Sequence, residues 1–277
     1  MGKRLFWLTV ILALAYLMLL QSKRQCPLLN SFSKQEASIF KEKKEAQSLE
    51  AGLSLLKNRR DKEALAVFET VLLAQPDNLD ALWGKAEVLR RNRDYQQAEE
   101  ILNKILSKTP KHVSSLISLA YIRYKDDRLK ESFELVRQAL KSGKLYRENR
   151  ALAYMMLGSI NGRRSAKGGF LSKVRYGTRI KFYFLKAKEL APDLPEAHLG
   201  LGTFYLLAPA IAGGNLDKAI EELEFAVKIA PDFATVNARL AQAYKKKGLV
   251  DKYNFHLGRA EALDPQNEAL QEIKQGR

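Results

Sequence analysis

Two pairs of prolines lie 34 residues apart, Pro76 to Pro110 and Pro231 to Pro265, and each closes a stretch with the same run of small and large apolar residues. A fixed period of that length marks stacked supersecondary units. One helix pair cannot bury its own apolar face, whereas a neighbour of the same design can cover it. Aligned on the closing proline, the chain shows six such repeats. The first starts near Glu45 and carries Gly52, Leu55, Ala64, Phe68, Val71 and Pro76. The second starts near Leu79, with Leu82, Ala86, Leu89, Ala98, Leu102, Ile105 and Pro110. The third starts near Val113 and closes on Lys144 instead of proline. The sixth starts near Ala234 and has Gly248 where the turn between its helices falls, which suits a helix stop.

Repeats four and five are stretched, by 10 and 5 residues respectively, and both extras are expected in the turn between paired helices. Gly52, Ala86, Ala120, Gly158, Gly202 and Ala241 share one slot, where two helices must cross closely. A larger side chain there would overpack the crossing, at about 1–3 kcal/mol. Each large apolar residue buried between repeats contributes roughly 1.5–3 kcal/mol. Ser132 and Tyr253 stand where the pattern wants alanine, so looser crossings are expected there.

The series Leu201-Gly202-Tyr205-Ala219-Leu223-Ala226-Pro231 and Leu240-Ala241-Tyr244-Leu257-Ala260-Pro265 resembles the tetratricopeptide repeat (TPR) over about residues 45–265. The resemblance implies an all-α fold, a right-handed TPR superhelix (α-solenoid) of about six helix pairs. Gly168-Gly169-Phe170 through Pro192, with Pro209 and Gly213-Gly214-Asn215, is also similar to a group of bacterial membrane-anchored TPR proteins of undefined function. The expected organisation is an anchor over 1–24, a polar tether over 25–43 and a solenoid over 44–265. Its repeats are 45–78, 79–112, 113–146, 151–194 with an inserted turn, 195–233 with an inserted turn, and 234–267. Residues 266–277 form a cap or tail, read as a brief polar helix over the last repeat.

Lys3 and Arg4 precede an apolar run from Leu5 to Leu20, interrupted only by Thr9 and the Tyr16 hydroxyl. As a helix it would span about 24 Å, somewhat short of a bilayer core, and flanking basic side chains can cover part of the deficit. An uncleaved transmembrane anchor is the favoured reading. A cleaved leader lacks a small-residue site after the run, and lipidation at Cys26 lacks small apolar residues before it. Basic residues on both sides nearly balance the orientation rule; the short basic leader favours a single-pass protein with its solenoid extracytoplasmic.

The net charge of +16 bears on partners more than on fold. From Asn149 to Lys188 there is no acidic residue and there are ten basic ones. Arg163, Arg164, Lys167, Lys173, Arg175 and Arg179 form a candidate basic patch, with Phe170 and Tyr176 interleaved. Anionic lipid or an acidic protein is the expected ligand if the patch binds one. A solvated basic face is the bland alternative. Nucleic acid is not expected.

The chain presents no phosphate loop and no nucleophile elbow. The three histidines, His112, His198 and His256, have no second histidine or cysteine at ligand spacing, and the single Cys26 excludes an intrachain disulfide. No catalytic, cofactor or metal site is expected, and the chain does not read as an enzyme. The resemblance instead points to the concave surface of the first helices. Carried over, it names Trp83, Arg90, Arg91, Tyr121, Tyr124, Lys125, Gln242 and Lys245 as a groove for an extended segment with acidic and apolar side chains. The same residues have packing and helix-end readings. The lysine and asparagine of the TPR carboxylate clamp are not matched: their places hold Leu49 and Leu53, Trp83 and Glu87, Ile117 and Tyr121. The function so read is a membrane-tethered protein-interaction scaffold. Alternatives are a polyanion- or anionic-lipid-binding envelope protein and an accessory subunit of an envelope transport or assembly complex.

Overall fold

Closing prolines set the local geometry of the chain. The residue before each, Gln75, Thr109, Ala191, Ala230 or Asp264, has φ between −133° and −157° and ψ between 73° and 89°. The proline after it bars it from helical geometry, so the second helix of each pair must end there. After three of these prolines, Pro76, Pro110 and Pro265, the next helix starts on a side-chain cap. Asn78, His112 and Asn267 each accept a backbone N–H from the first turn they precede. Asp94 and Asn215 do the same at the start of second helices.

The computed structural model describes residues 46–276 except 144, with only the backbone of Val174. The chain divides into two compact units, 1–50 and 51–277. Of the first, residues 46–50 are described and helical. The expected anchor over 1–24 and tether over 25–43 lie outside the described residues, as does Lys144. Among the described residues, no helix is long and apolar enough to cross a membrane.

The second unit opens with helical residues 51–57 (α1) and continues through α2 (Asp61–Ala74), α3 (Leu79–Arg91), α4 (Tyr95–Lys108), α5 (Val113–Lys125) and α6 (Leu129–Lys141). Then come α7 (Arg147–Lys167), α8 (Phe170–Leu190), α9 (Pro195–Leu207), a 3-10 turn (Ala210–Ala212), α10 (Leu216–Ile229), α11 (Ala234–Lys247), α12 (Val250–Leu263) and α13 (Glu268–Lys274). Each helix packs on the next, and first helices also pack on first helices of neighbouring pairs. The described residues contain no strand.

Large aromatic rings lock the first and fourth pairs to their successors. A Cβ added at Gly52 would stand 2.8 Å from the Phe68 ring, and one at Gly84 in the next pair 2.3 Å from it. Phe184 is held the same way between Gly158 and Gly200, at 2.5 and 2.6 Å. Phe68 is fully buried as a result. Elsewhere the small slot is filled by Ala86, Ala120 and Ala241, all without exposure.

Three expectations change. Ser132 does not loosen its crossing: it is fully buried, and its Oγ donates to the Ala120 carbonyl at 2.7 Å, which ties α6 to α5. The extra residues of repeat four do not form an inserted turn. They lengthen both helices to 21 residues and leave only Gly168 and Gly169 between them. Nothing from Arg163 to Lys167 breaks a helix, and these residue types favour one. The C-terminal helix is amphipathic and not simply polar, with Ala269, Leu270 and Ile273 buried against Ala238 and Ala260. Repeat five does carry its extra residues in a turn, from Pro209 to Asn215, with Gly213 at φ 91°.

Candidate functional site

First helices, the turns beside them and several residues of second helices and of α13 line an open cavity of about 1640 Å3. Trp83, Ile117, Tyr121, Leu152, Met155 and Phe233 give its wall an aromatic and aliphatic character. The cavity is close to charge balance, with nine Lys or Arg residues and eight Asp or Glu residues on the wall. The excess positive charge of the chain therefore lies elsewhere.

Glu87 organises the polar part of the wall. It accepts Arg90 Nε at 2.8 Å, Arg91 Nε at 3.3 Å and the Ser118 hydroxyl at 3.0 Å, while Ser118 also receives Trp83 Nε1 at 3.1 Å. Burial pushes the Glu87 carboxyl up, but the Arg90 charge and hydrogen bond, then Arg91 and Ser118, outweigh it and hold its pKa at about 2. The Arg90 guanidinium lies 4.1 Å above the Tyr121 ring. Arg91 donates to the Leu56 carbonyl and to Asp61, each at 2.8 Å. These arginines are partnered within the chain, so they join α3 to α1, α2 and α5 before they meet any ligand.

The structure thus gathers Trp83, Arg90, Arg91, Tyr121 and Lys125 on one cavity wall and leaves the other three candidates off it. Tyr124 lies under Arg163, whose guanidinium sits 4.1 Å above its ring and donates to its carbonyl. Burial raises the pKa of the Tyr124 hydroxyl. Gln242 is buried against Arg239. Lys245 is exposed beside Tyr253.

Ion pairs cross the cavity, and each joins a cation of the first three repeats to a carboxylate of the later ones. Lys57 meets Glu148 at 2.9 Å, Arg93 meets Asp264 at 2.6 Å, Arg59 meets Glu196, and Lys125 meets Glu268. Arg59 also stacks 3.7 Å above Phe233. Burial first, then Arg91, lowers the Arg59 pKa to about 10 against the pull of Glu196, Asp61 and Glu87.

Arg59, Arg93, Asp127 and Gly248 hold the same turn position, with φ of 62°, 67°, 63° and 78°. This left-handed geometry favours glycine, yet two repeats place there the arginines that reach across. Arg59 and Arg93 are not among the residues expected from sequence, although the 34-residue spacing of Arg59, Arg93 and Asp127 is a readable signal.

The basic patch divides in two. Arg163 and Arg164 donate to carbonyls of Tyr124 and Leu129, and Lys167 pairs with Asp127, so these three seat α7 on the third repeat. Lys173, Arg175 and Arg179 are exposed on α8. The histidines have structural partners. His112 caps α5, His198 is buried between Glu222 and the Pro192 carbonyl, and His256 bonds Asn237 at 2.9 Å. Among the described residues, no three His, Cys, Asp or Glu side chains converge as a metal site.

Paired helices repeated around a shared cavity define a helical-repeat solenoid. Residues 49–113 match the family model of the tetratricopeptide repeat. No curated protein matches it by sequence. Among solved structures, the hetero-tetramer Cut9–Hcn1 of the APC/C is 16% identical, with 83% of this chain and 42% of that chain covered and a TM-score of 0.58. The human IFIT1 dimer with PPP-AAAA is 18% identical, with 83% and 52% covered and the same TM-score of 0.58. PilF of Pseudomonas aeruginosa is 16% identical over 85% of this chain and 99% of that one, at a TM-score of 0.48. At these identities the likeness concerns the fold.

Proposed function

We propose that the chain is a membrane-tethered scaffold that holds an extended segment of a protein partner in the concave cavity. The carrying observation is the cavity itself: a large, partly apolar hollow lined mostly by successive first helices, with Trp83 and Tyr121 on its wall. Aromatic anchors in a pre-ordered wall bind with little ordering cost. The near balance of charge favours a partner segment of mixed polarity over an acidic one. The apolar run Leu5–Leu20 supports the tether, with the solenoid on the extracytoplasmic side.

A photo-crosslinking side chain at Leu152, on the cavity wall, tests the reading against the same group at Phe255, which is exposed on α12. One protein captured from position 152, absent from position 255 and reduced by Trp83→Ala, is the expected result. Equal capture from both positions overturns the cavity as the binding surface. Protease digestion tests the tether and its side. A solenoid digested only after the cytoplasmic membrane is opened would reverse the orientation.

A further inference from the structure

With the cavity close to neutral, the excess positive charge has to be sought on the outside of the fourth pair. Helices α7 and α8 each run about eight residues beyond the 13 or 14 of most of their neighbours, a length of about 12 Å. The extra part of α7 is fixed to the third repeat through Arg163, Arg164 and Lys167. The matching part of α8 faces outward. At its start Phe170 and Leu171 are 79% and 82% exposed, and further along Phe182 and Leu185 are 54% and 44% exposed. Leu171, Arg175, Thr178, Phe182 and Leu185 recur at intervals of three or four and share one helix face.

The cations on α8 differ in their partners. Lys186 pairs with Glu189, Lys188 pairs with Glu222, and Lys181 lies against the Tyr205 ring. Lys173, Arg175 and Arg179 have no acidic partner among the described residues, and no acidic residue occurs between Asn149 and Lys188 to provide one nearby. Exposed large apolar side chains flanked by unpaired cations are poorly suited to open water. They suit the boundary between acyl chains and anionic headgroups.

We propose that the outer face of α8, from Phe170 to Leu185, docks on an anionic lipid surface. Phe170 and Leu171 enter the acyl boundary at the tip of the hairpin, and Lys173, Arg175 and Arg179 meet lipid phosphates. The cavity stays free, because no residue of α8 is on its wall. The docking depends neither on the cavity binding a protein nor on the anchor, and the two readings fail separately.

The test uses the full chain in vesicles, with Cys26→Ser and an environment-sensitive fluorophore on Phe170→Cys. Vesicles of phosphatidylcholine alone are compared with vesicles containing phosphatidylglycerol. In the anionic vesicles the probe should shift to the blue and be quenched by lipid-borne quenchers. Charge reversal of Lys173, Arg175 and Arg179 together should lower the inserted fraction at least about threefold, as should high salt. A probe at Phe255→Cys should respond to neither lipid. An unshifted probe at position 170 in anionic vesicles, or one that inserts equally after charge reversal, overturns the proposal. Protection of the probe by soluble polyaspartate and not by anionic vesicles also overturns it, and assigns the face to an acidic protein.

Discussion

At the scale of the residue, packing turns on a few close contacts. The Phe68 ring fits only because Gly84 presents no Cβ. Gly84→Ala should destabilise the chain by about 1–3 kcal/mol, measured by urea unfolding. Phe68→Leu in the same chain should recover part of that loss, because the two sites share one space. Glu87 provides a pH signature. Its carboxyl is held at about 2, below the unfolded value of 4.5. A group shifted downward stabilises the fold above the unfolded pKa and loses that contribution as pH falls through the folded one. The advantage of the wild type over Glu87→Gln should therefore be largest near neutrality, on the order of 3 kcal/mol, and should shrink as pH drops from about 4.5 toward 2. A constant gap across that range would remove Glu87 as the hub of the wall.

At the scale of the element, the helix pairs were legible because their signals are local and periodic. Prolines closed the second helices, and small residues marked the crossings. The lengths of α7 and α8 were not legible in this way: ten extra residues read equally well as loop or as helix, and the turn-type pair Asn161-Gly162 lies inside α7 without ending it. The cavity was partly legible. Trp83 and Tyr121 could be placed on its wall from repeat position, but the pairing of Arg90 with Glu87 is a contact between turns of one helix and gave no periodic sign. The arginines that cross the cavity join residues more than a hundred positions apart, beyond the reach of a local pattern. The last helix shows how a repeat array ends. Leu270 is fully buried and covers Ala238 and Ala260. Leu270→Ala should cost about 2–3 kcal/mol and expose the final pair first, read as faster amide exchange in α12 than in α4.

At the scale of the whole molecule, the cross-cavity ion pairs link the early repeats to the late ones. A stack of repeats is bound only to its neighbours, so its curvature is soft unless distant repeats are joined. Here distant repeats are joined, and the pairs differ in weight. Lys57 and Glu148 are each 62% exposed, and a pair of that kind contributes little. Arg59 and Glu196 are 13% and 20% exposed, so loss of the carboxylate leaves a poorly solvated cation. Glu196→Gln should cost about 1–3 kcal/mol, less than the loss of a fully buried pair. Combined with Asp264→Asn and Glu268→Gln, it should uncouple the early repeats from the late ones. The radius of gyration from small-angle X-ray scattering should then rise, while the helix content measured by circular dichroism stays the same. A triple variant with an unchanged radius would show that neighbour packing alone fixes the curvature. A larger radius with a cavity that captures its partner more readily would make these pairs the gate through which a bound segment enters.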